Sequence, residues 1–323
     1  DGPQYRHPAG PTALAVYTLL KCGVDPKHQV IRKGFNWLRE LHKITPKYDG
    51  TDGSGFSWRH TQAGSSYELS TMSLALTAKY DGYKKTSASR RAKRKGKIKS
   101  RDKDDREWLI EMVEALIERR GKPVESPERD ARLGWRYNTP QLKMSGGNRN
   151  WTRGATRAPP HANQDLSSTQ LAALALFSAH QFSITVPEDV WVDIVNFTLS
   201  HQEESGPAHE RHAPGFRPDG QGPPVDHARG FMYMKGSPER HEGRATGAMT
   251  ACGVANLVMA KDVLLESKKG KKRWKAQGFE ERVNTAILDG LAWLDLHWST
   301  SENPRGGNYH FYYLYGVERA MDL

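Results

Sequence analysis

Apolar residues recur at steps of three and four in four separate segments. In "IRKGFNWLRELHK" they are Ile31, Phe35, Leu38 and Leu41, and in "VNTAILDGLAWLDLHW" they are Val283, Ile287, Leu291 and Leu294, the spacing that lines one face of a helix. "REWLIEMVEALIERR" carries the same pattern with Glu and Arg on its other face, and "VPEDVWVDIVNFTL" opens with Pro187 and two acids, as a helix N-terminus should. Four further segments are apolar nearly all round: "TALAVYTLL" (12–20), "TMSLALTA" (71–78), "TQLAALALFSA" (169–179) and "TACGVANLVMA" (250–260), each beginning with Thr. A helix apolar on every side must be enclosed by protein, whereas an amphipathic one faces water along one side. The two types alternate along the chain. The pattern therefore predicts an all-α fold, a double ring in which inner helices are enclosed by outer ones, each pair stacking on its neighbours.

Local strings repeat with the helices. Gly34-Phe-Asn-Trp37-Leu38 and Gly290-Leu-Ala-Trp293-Leu294 match in form, which points to an internal repeat. A glycine-aromatic cluster, "GFSWRH" (55–60), "GWRYNTP" (134–140), "GFMYMKG" (230–236) or "GGNYHFYY" (306–313), precedes each later inner helix. Glycine among aromatics favours a tight turn whose rings pack on helix ends. In this order of outer helix, aromatic turn, polar cap and apolar inner helix, the chain resembles the prenyltransferase and squalene-oxidase repeat family. That family comprises α/α toroids, among them triterpene cyclases and the β subunits of protein prenyltransferases. The resemblance implies a single toroid domain over 1–323 with short glycine-aromatic turns, a basic loop insertion at 84–103 and a long Gly/Pro/His-rich loop at 203–243. It also implies a central cavity for an apolar or isoprenoid ligand, with Trp58, His60, Trp135, Tyr137, Tyr233, Tyr309 and His310 as lining candidates. The chain starts inside a repeat connection and stops just after an inner helix, so the toroid is expected to be incomplete at both ends.

Two chemistries of the family can be laid on the residues. Triterpene cyclases carry an Asp-x-Asp-Asp-Thr-Ala-like motif whose middle acid protonates an alkene or epoxide, and such a proton donor must be kept neutral by its neighbours. "DLSST" keeps Asp165 and Thr169 but has Ser167 and Ser168 where further acids belong. Asp165 is then expected to cap the inner helix, with Ser167 helping to accept orphan N–H groups. "DKDD" at 102–105 matches the acid motif by letters, yet it leads an amphipathic helix, and Asp104 and Asp105 are expected to be solvent-facing helix-start carboxylates. Protein prenyltransferases hold zinc through Asp and Cys two residues apart and a His near the next inner helix. Here Thr246 and Ala248 occupy the Asp and Cys positions and Cys252 lies a turn too deep, leaving His310 as a structural histidine. His209, His212, His227 and His241 are expected to be solvated loop side chains, so neither a metal site nor a cofactor is predicted.

Composition adds the matter of partners. The 323 residues carry a net charge of +11, and 84–101 alone hold ten Lys or Arg and no acid. A second run, "KKGKKRWK" at 268–275, adds six positive charges. Both are expected to be solvated, mobile loops on one rim of the ring, since each follows an inner helix and precedes an outer one. Arg90, Arg91, Lys93, Arg94, Lys95, Lys271, Lys272 and Arg273 are the candidates for holding a polyanion there. No uninterrupted apolar run reaches the ~18 residues of a bilayer-spanning helix, so the chain is expected not to be transmembrane. No targeting segment opens the given sequence, and Cys22 and Cys252 are too few to fix a redox compartment. Three functions stay open: a ligand-binding or scaffold protein, a divergent cyclase or transferase acting on an isoprenoid, and a lyase acting on an anionic polysaccharide. The lyase reading rests on Asn308, Tyr309, His310 and Arg319, residue types that neutralise a uronate and remove its α-proton. With Asp165, these are the catalytic candidates.

Overall fold

A computed structural model of the protein describes residues 9–44, 66–81, 102–121, 133–136, 142–144, 151–153, 164–210, 225–235 and 243–322. The chain divides into two compact units, Asp1–Gly121 with Trp135–His161 and Leu174–Val186, and Lys122–Gly134 with Ala162–Ala173 and Pro187–Leu323.

The first unit is built on α1 (Ala9–Lys21), α2 (Gln29–Ile44), α3 (Ser66–Asp81) and α4 (Lys103–Arg119). The inner-type helices α1 and α3 lie side by side, α2 backs α1, and α4 backs α3. α3 is enclosed as its composition requires, buried at every position from Glu68 to Ala78. Two of its buried hydroxyls bond within the helix, Thr71 Oγ1 donating to the Tyr67 carbonyl (2.8 Å) and Thr77 Oγ1 to that of Ser73 (3.0 Å), while those of Ser70 and Ser73 have no partner among the described residues. α1 departs from expectation. It buries only one stripe, Ala9, Ala13, Val16, Tyr17 and Leu20, and Leu14 is 52% exposed. Its apolar outer face lacks the cover that a helix of that composition was expected to need. A short ribbon pairs β1 (Leu142–Met144) antiparallel with β2 (Trp151–Arg153), so the fold is mostly helical rather than purely so.

The second unit centres on α7 (Gly247–Glu266), which packs against α6 (Glu188–Ser200), α8 (Lys268–Ala276), α9 (Phe279–Leu296) and α10 (His310–Asp322). Among the described residues α7 is the one helix long and apolar enough to cross a bilayer, yet most of it is buried among these neighbours, as a core helix is. The N-terminal part of α5 (Leu166–Gln181) belongs to this unit and is buried on every side. Two expectations are corrected here. The 203–243 segment is not simply a loop: β3 (Ala208–Glu210) pairs antiparallel with β4 (Val225–His227), and Asp289 of α9 fixes this ribbon by accepting from the His227 amide (2.8 Å) and the Arg229 guanidinium (2.6 Å). Nor is 268–275 a mobile loop, because it forms α8.

One contact recurs between two of the quoted repeats. A Cβ on Gly134 would lie 2.4 Å from the Thr169 hydroxyl oxygen, and one on Gly230 would lie 2.8 Å from that of Thr250. Each glycine lets a turn press against the threonine of an inner helix, and the aromatic that follows it, Trp135 or Phe231, is fully buried.

Candidate functional site

The mouth of α5 is a closed hydrogen-bonded knot. Asp165 is fully buried; its Oδ1 accepts from the Ser168 amide (2.7 Å) and the Ser167 hydroxyl (2.8 Å), and its Oδ2 from the Ser168 hydroxyl (2.9 Å). This is the expected N-cap with one correction, that Ser167 donates to Asp165 instead of accepting from the backbone. The carboxylate is turned toward its own first turn.

One residue past the expected threonine stands Gln170, also fully buried. Its Oε1 accepts from the Tyr312 hydroxyl of α10 (3.1 Å), and that hydroxyl lies 3.4 Å from Cys252 Sγ on α7. The Gln170 amide nitrogen finds no partner among the described residues. α7 and α10 come close because Gly316 faces Ala251, its Cβ position 3.3 Å from that side chain's methyl. Burial pushes the Cys252 thiol up to about 12, with the charge of Asp165 adding to the effect and the Tyr312 hydrogen bond opposing it. A thiol so held stays protonated and is neither nucleophile nor metal ligand at neutral pH. The cluster therefore offers hydrogen-bonding groups drawn from three helices. A glutamine alone in an apolar helix is the signal that could have marked it, since a buried amide needs partners.

The positions where the family's zinc ligands belong serve the start of α7. Thr246 Oγ1 accepts from the Met249 amide (3.3 Å), and the Ala248 amide donates to Asn303 Oδ1 (2.8 Å). Among the described residues no three His, Cys, Asp or Glu side chains come together as a metal site. His310 is half-buried, and its Nδ1 has no partner among the described residues.

The remaining candidates divide. Tyr309 is 75% exposed and Asn308 is exposed, so neither lines an enclosed site; Tyr309 is thrown outward by a left-handed backbone (φ 63°). Arg319 pairs with its neighbour Glu318. The lyase constellation is thus not assembled. Trp135 is a core residue, its indole N–H donating to the Leu116 carbonyl (2.8 Å), and Tyr233 is half-buried with its carbonyl taken by the Leu166 amide (2.9 Å). His209 is no solvated loop side chain: its Nε2 meets Asp295 at 2.7 Å, while His227 Nδ1 lies 3.4 Å from the Gly206 carbonyl. Trp58, His60, Tyr137, Arg90, Arg91, Lys93, Arg94, Lys95, His212 and His241 lie outside the described residues.

Asp105 is the largest departure. It is buried, not solvent-facing, and takes Lys79 Nζ at 2.6 Å together with Arg39 and the Tyr80 hydroxyl. Asp104 is exposed, as expected. No protein-family model, curated protein or solved structure matches this chain.

Proposed function

We propose that this chain is an α/α toroid of the prenyltransferase and squalene-oxidase repeat type that binds an apolar, isoprenoid-like ligand bearing one oxygen function and does not transform it. The repeated glycine-threonine contact and the pairing of inner-type with outer-type helices inside each unit support the architecture. The observation that carries the function is the Gln170 amide nitrogen, fully buried and without an acceptor among the described residues, beside the Tyr312 hydroxyl and a cysteine thiol that burial keeps protonated. A buried donor left unpaired costs free energy. An alcohol, ether or carbonyl oxygen on an otherwise apolar ligand would relieve that cost, and nothing in the cluster supplies a strong acid or a nucleophile.

Thermal unfolding with farnesol and with squalene tests this. Farnesol is expected to raise Tm more than squalene does, Gln170→Leu to remove the difference, and mass spectrometry to recover both compounds unchanged. A cyclised or transferred product, lost in Asp165→Asn, would establish the cyclase reading instead. Equal shifts for wild type and Gln170→Leu would remove the amide from the site.

A further inference from the structure

We propose that the exposed face of α8 binds the phosphate backbone of duplex nucleic acid. The six cations of this helix do two different jobs. Lys269 pairs with Glu188 (2.8 Å) and Arg273 with Asp189 (2.6 Å), both acids standing in the first turn of α6. Lys268, Lys271, Lys272 and Lys275 are exposed and make no ion pair among the described residues. Their spacing of three, four and seven places all four along one side of the helix.

The helix is held from beneath. Trp274 is buried and donates to Glu280 (2.7 Å), Ser267 Oγ caps the first turn by accepting from the Gly270 amide (2.8 Å), and a Cβ on Gly270 would lie 2.1 Å from the Leu264 carbonyl oxygen. These anchors oppose the charge pattern. Lysines in a first turn face the positive end of the helix dipole, and like charges three or four residues apart repel. A segment serving only to join α7 to α9 would gain by replacing them. The anchors instead keep four like charges in a fixed array, a local conflict of the kind expected where a surface is used.

The chemistry of the array selects the partner. Lysine ammonium groups are point charges that suit phosphate, whereas carboxylate recognition favours the planar fork of arginine, and the arginine here is occupied. Single strands are held by exposed aromatics on which bases stack, but the tryptophan of α8 faces inward. Bilayer insertion needs an exposed apolar face, and α8 has none. From Lys268 to Lys275 the stripe runs ~10 Å at about 1.5 Å per residue. Duplex presents a phosphate every ~1.7 Å of its axis with both strands counted, so roughly six lie along the length of the stripe, enough for four lysines to find partners.

The test is fluorescence anisotropy of a mixed-sequence duplex across salt concentrations, using the full chain. Replacing Lys268, Lys271, Lys272 and Lys275 together by Gln is expected to weaken binding at least tenfold at low salt. It should also reduce the slope of log K against log salt by about 3 to 4, near 0.9 per phosphate contact. A control replacing exposed Lys27, Arg32 and Lys33 by Gln is expected to keep the slope. The basic run 84–101 is present in every variant, so its share cancels in the comparison. The proposal is overturned by an unchanged slope in the α8 variant, an equal loss in the control, no duplex binding by wild type, or tighter wild-type binding to single strands or to phosphatidylserine vesicles. Circular dichroism of the variant separates lost contacts from lost folding. None of these outcomes touches the ligand reading at Gln170.

Discussion

Asp105 and Asp165 each stand at the start of a helix, each belongs to a string resembling an acid motif, and both are buried. Their surroundings are opposite in kind. Asp105 sits on α4 between the cations Arg39 of α2 and Lys79 of α3, with Tyr80 beside it, and the Arg39 guanidinium also lies over the Trp108 ring. Burial holds both the Arg39 and the Lys79 pKa below the ordinary values. Asp165 accepts from hydroxyls and one amide in its own first turn. Asp105 joins three helices through charge, whereas the first-turn donors of Asp165 are dipoles. A carboxylate of the first kind is expensive to neutralise because its partners stay charged, while one of the second kind has partners that can turn.

Asp105→Asn breaks this comparison most directly, because the shape is kept while the charge is lost. Arg39 and Lys79 would remain, about 30% exposed, without their anion. Removing one member of a buried ion pair costs roughly 3–5 kcal/mol, and partial exposure of the cations places this case at the lower end, about 3 kcal/mol. Urea denaturation at neutral pH measures it. A loss below about 1 kcal/mol would mean that solvent already screens the network.

His201 sharpens the contrast, since it is also buried but is held neutral. Its Nδ1 donates to the Phe197 carbonyl (2.8 Å), its Nε2 has no partner among the described residues, and burial lowers its pKa to about 4. The folded value lies below the unfolded one of 6.5, so the unfolded chain takes up the proton first as pH falls. The stability this histidine contributes is present above about pH 6.5 and is lost progressively down to about pH 4. From pH 7.5 to 4.5 the wild type should lose about 2.5 kcal/mol more than His201→Asn does. Parallel pH dependence in the two proteins would show that the ring is hydrated.

Legibility followed the range of the interactions. The faces of α2 and α9 could be read from spacing, because Ile31, Phe35 and Leu38, or Val283 and Leu294, are buried by the periodicity itself. The Asp165 cap was equally legible, its donors lying within three residues. α8 was not, because a lysine-rich segment reads as solvated unless one knows that Trp274 and Gly270 are pinned from below. The partners of Asp105 arrive from 66 and 26 residues away, and Gln170 meets Tyr312 across 142. No local pattern announces such pairings. The exposed outer face of α1 was hidden for a related reason: composition says what a helix would prefer to bury, not how many neighbours it finds.

Asp165→Asn is the smallest expected effect and the closest test of the other half of the comparison. Asparagine is as good an N-cap as aspartate, so its carbonyl oxygen can keep the Ser168 amide. The new amide group would face the Ser168 hydroxyl, which can rotate from donor to acceptor. The loss should stay under about 1 kcal/mol, against about 3 kcal/mol for the same exchange at Asp105. Asp165→Ala removes the acceptor altogether and should cost about 1 to 2 kcal/mol. The order of the three variants is more informative than any single value. If Asp165→Asn proved as damaging as Asp105→Asn, the carboxylate charge would be meeting a cation, and Asp165 would have to be treated as part of an ionic site instead of a cap.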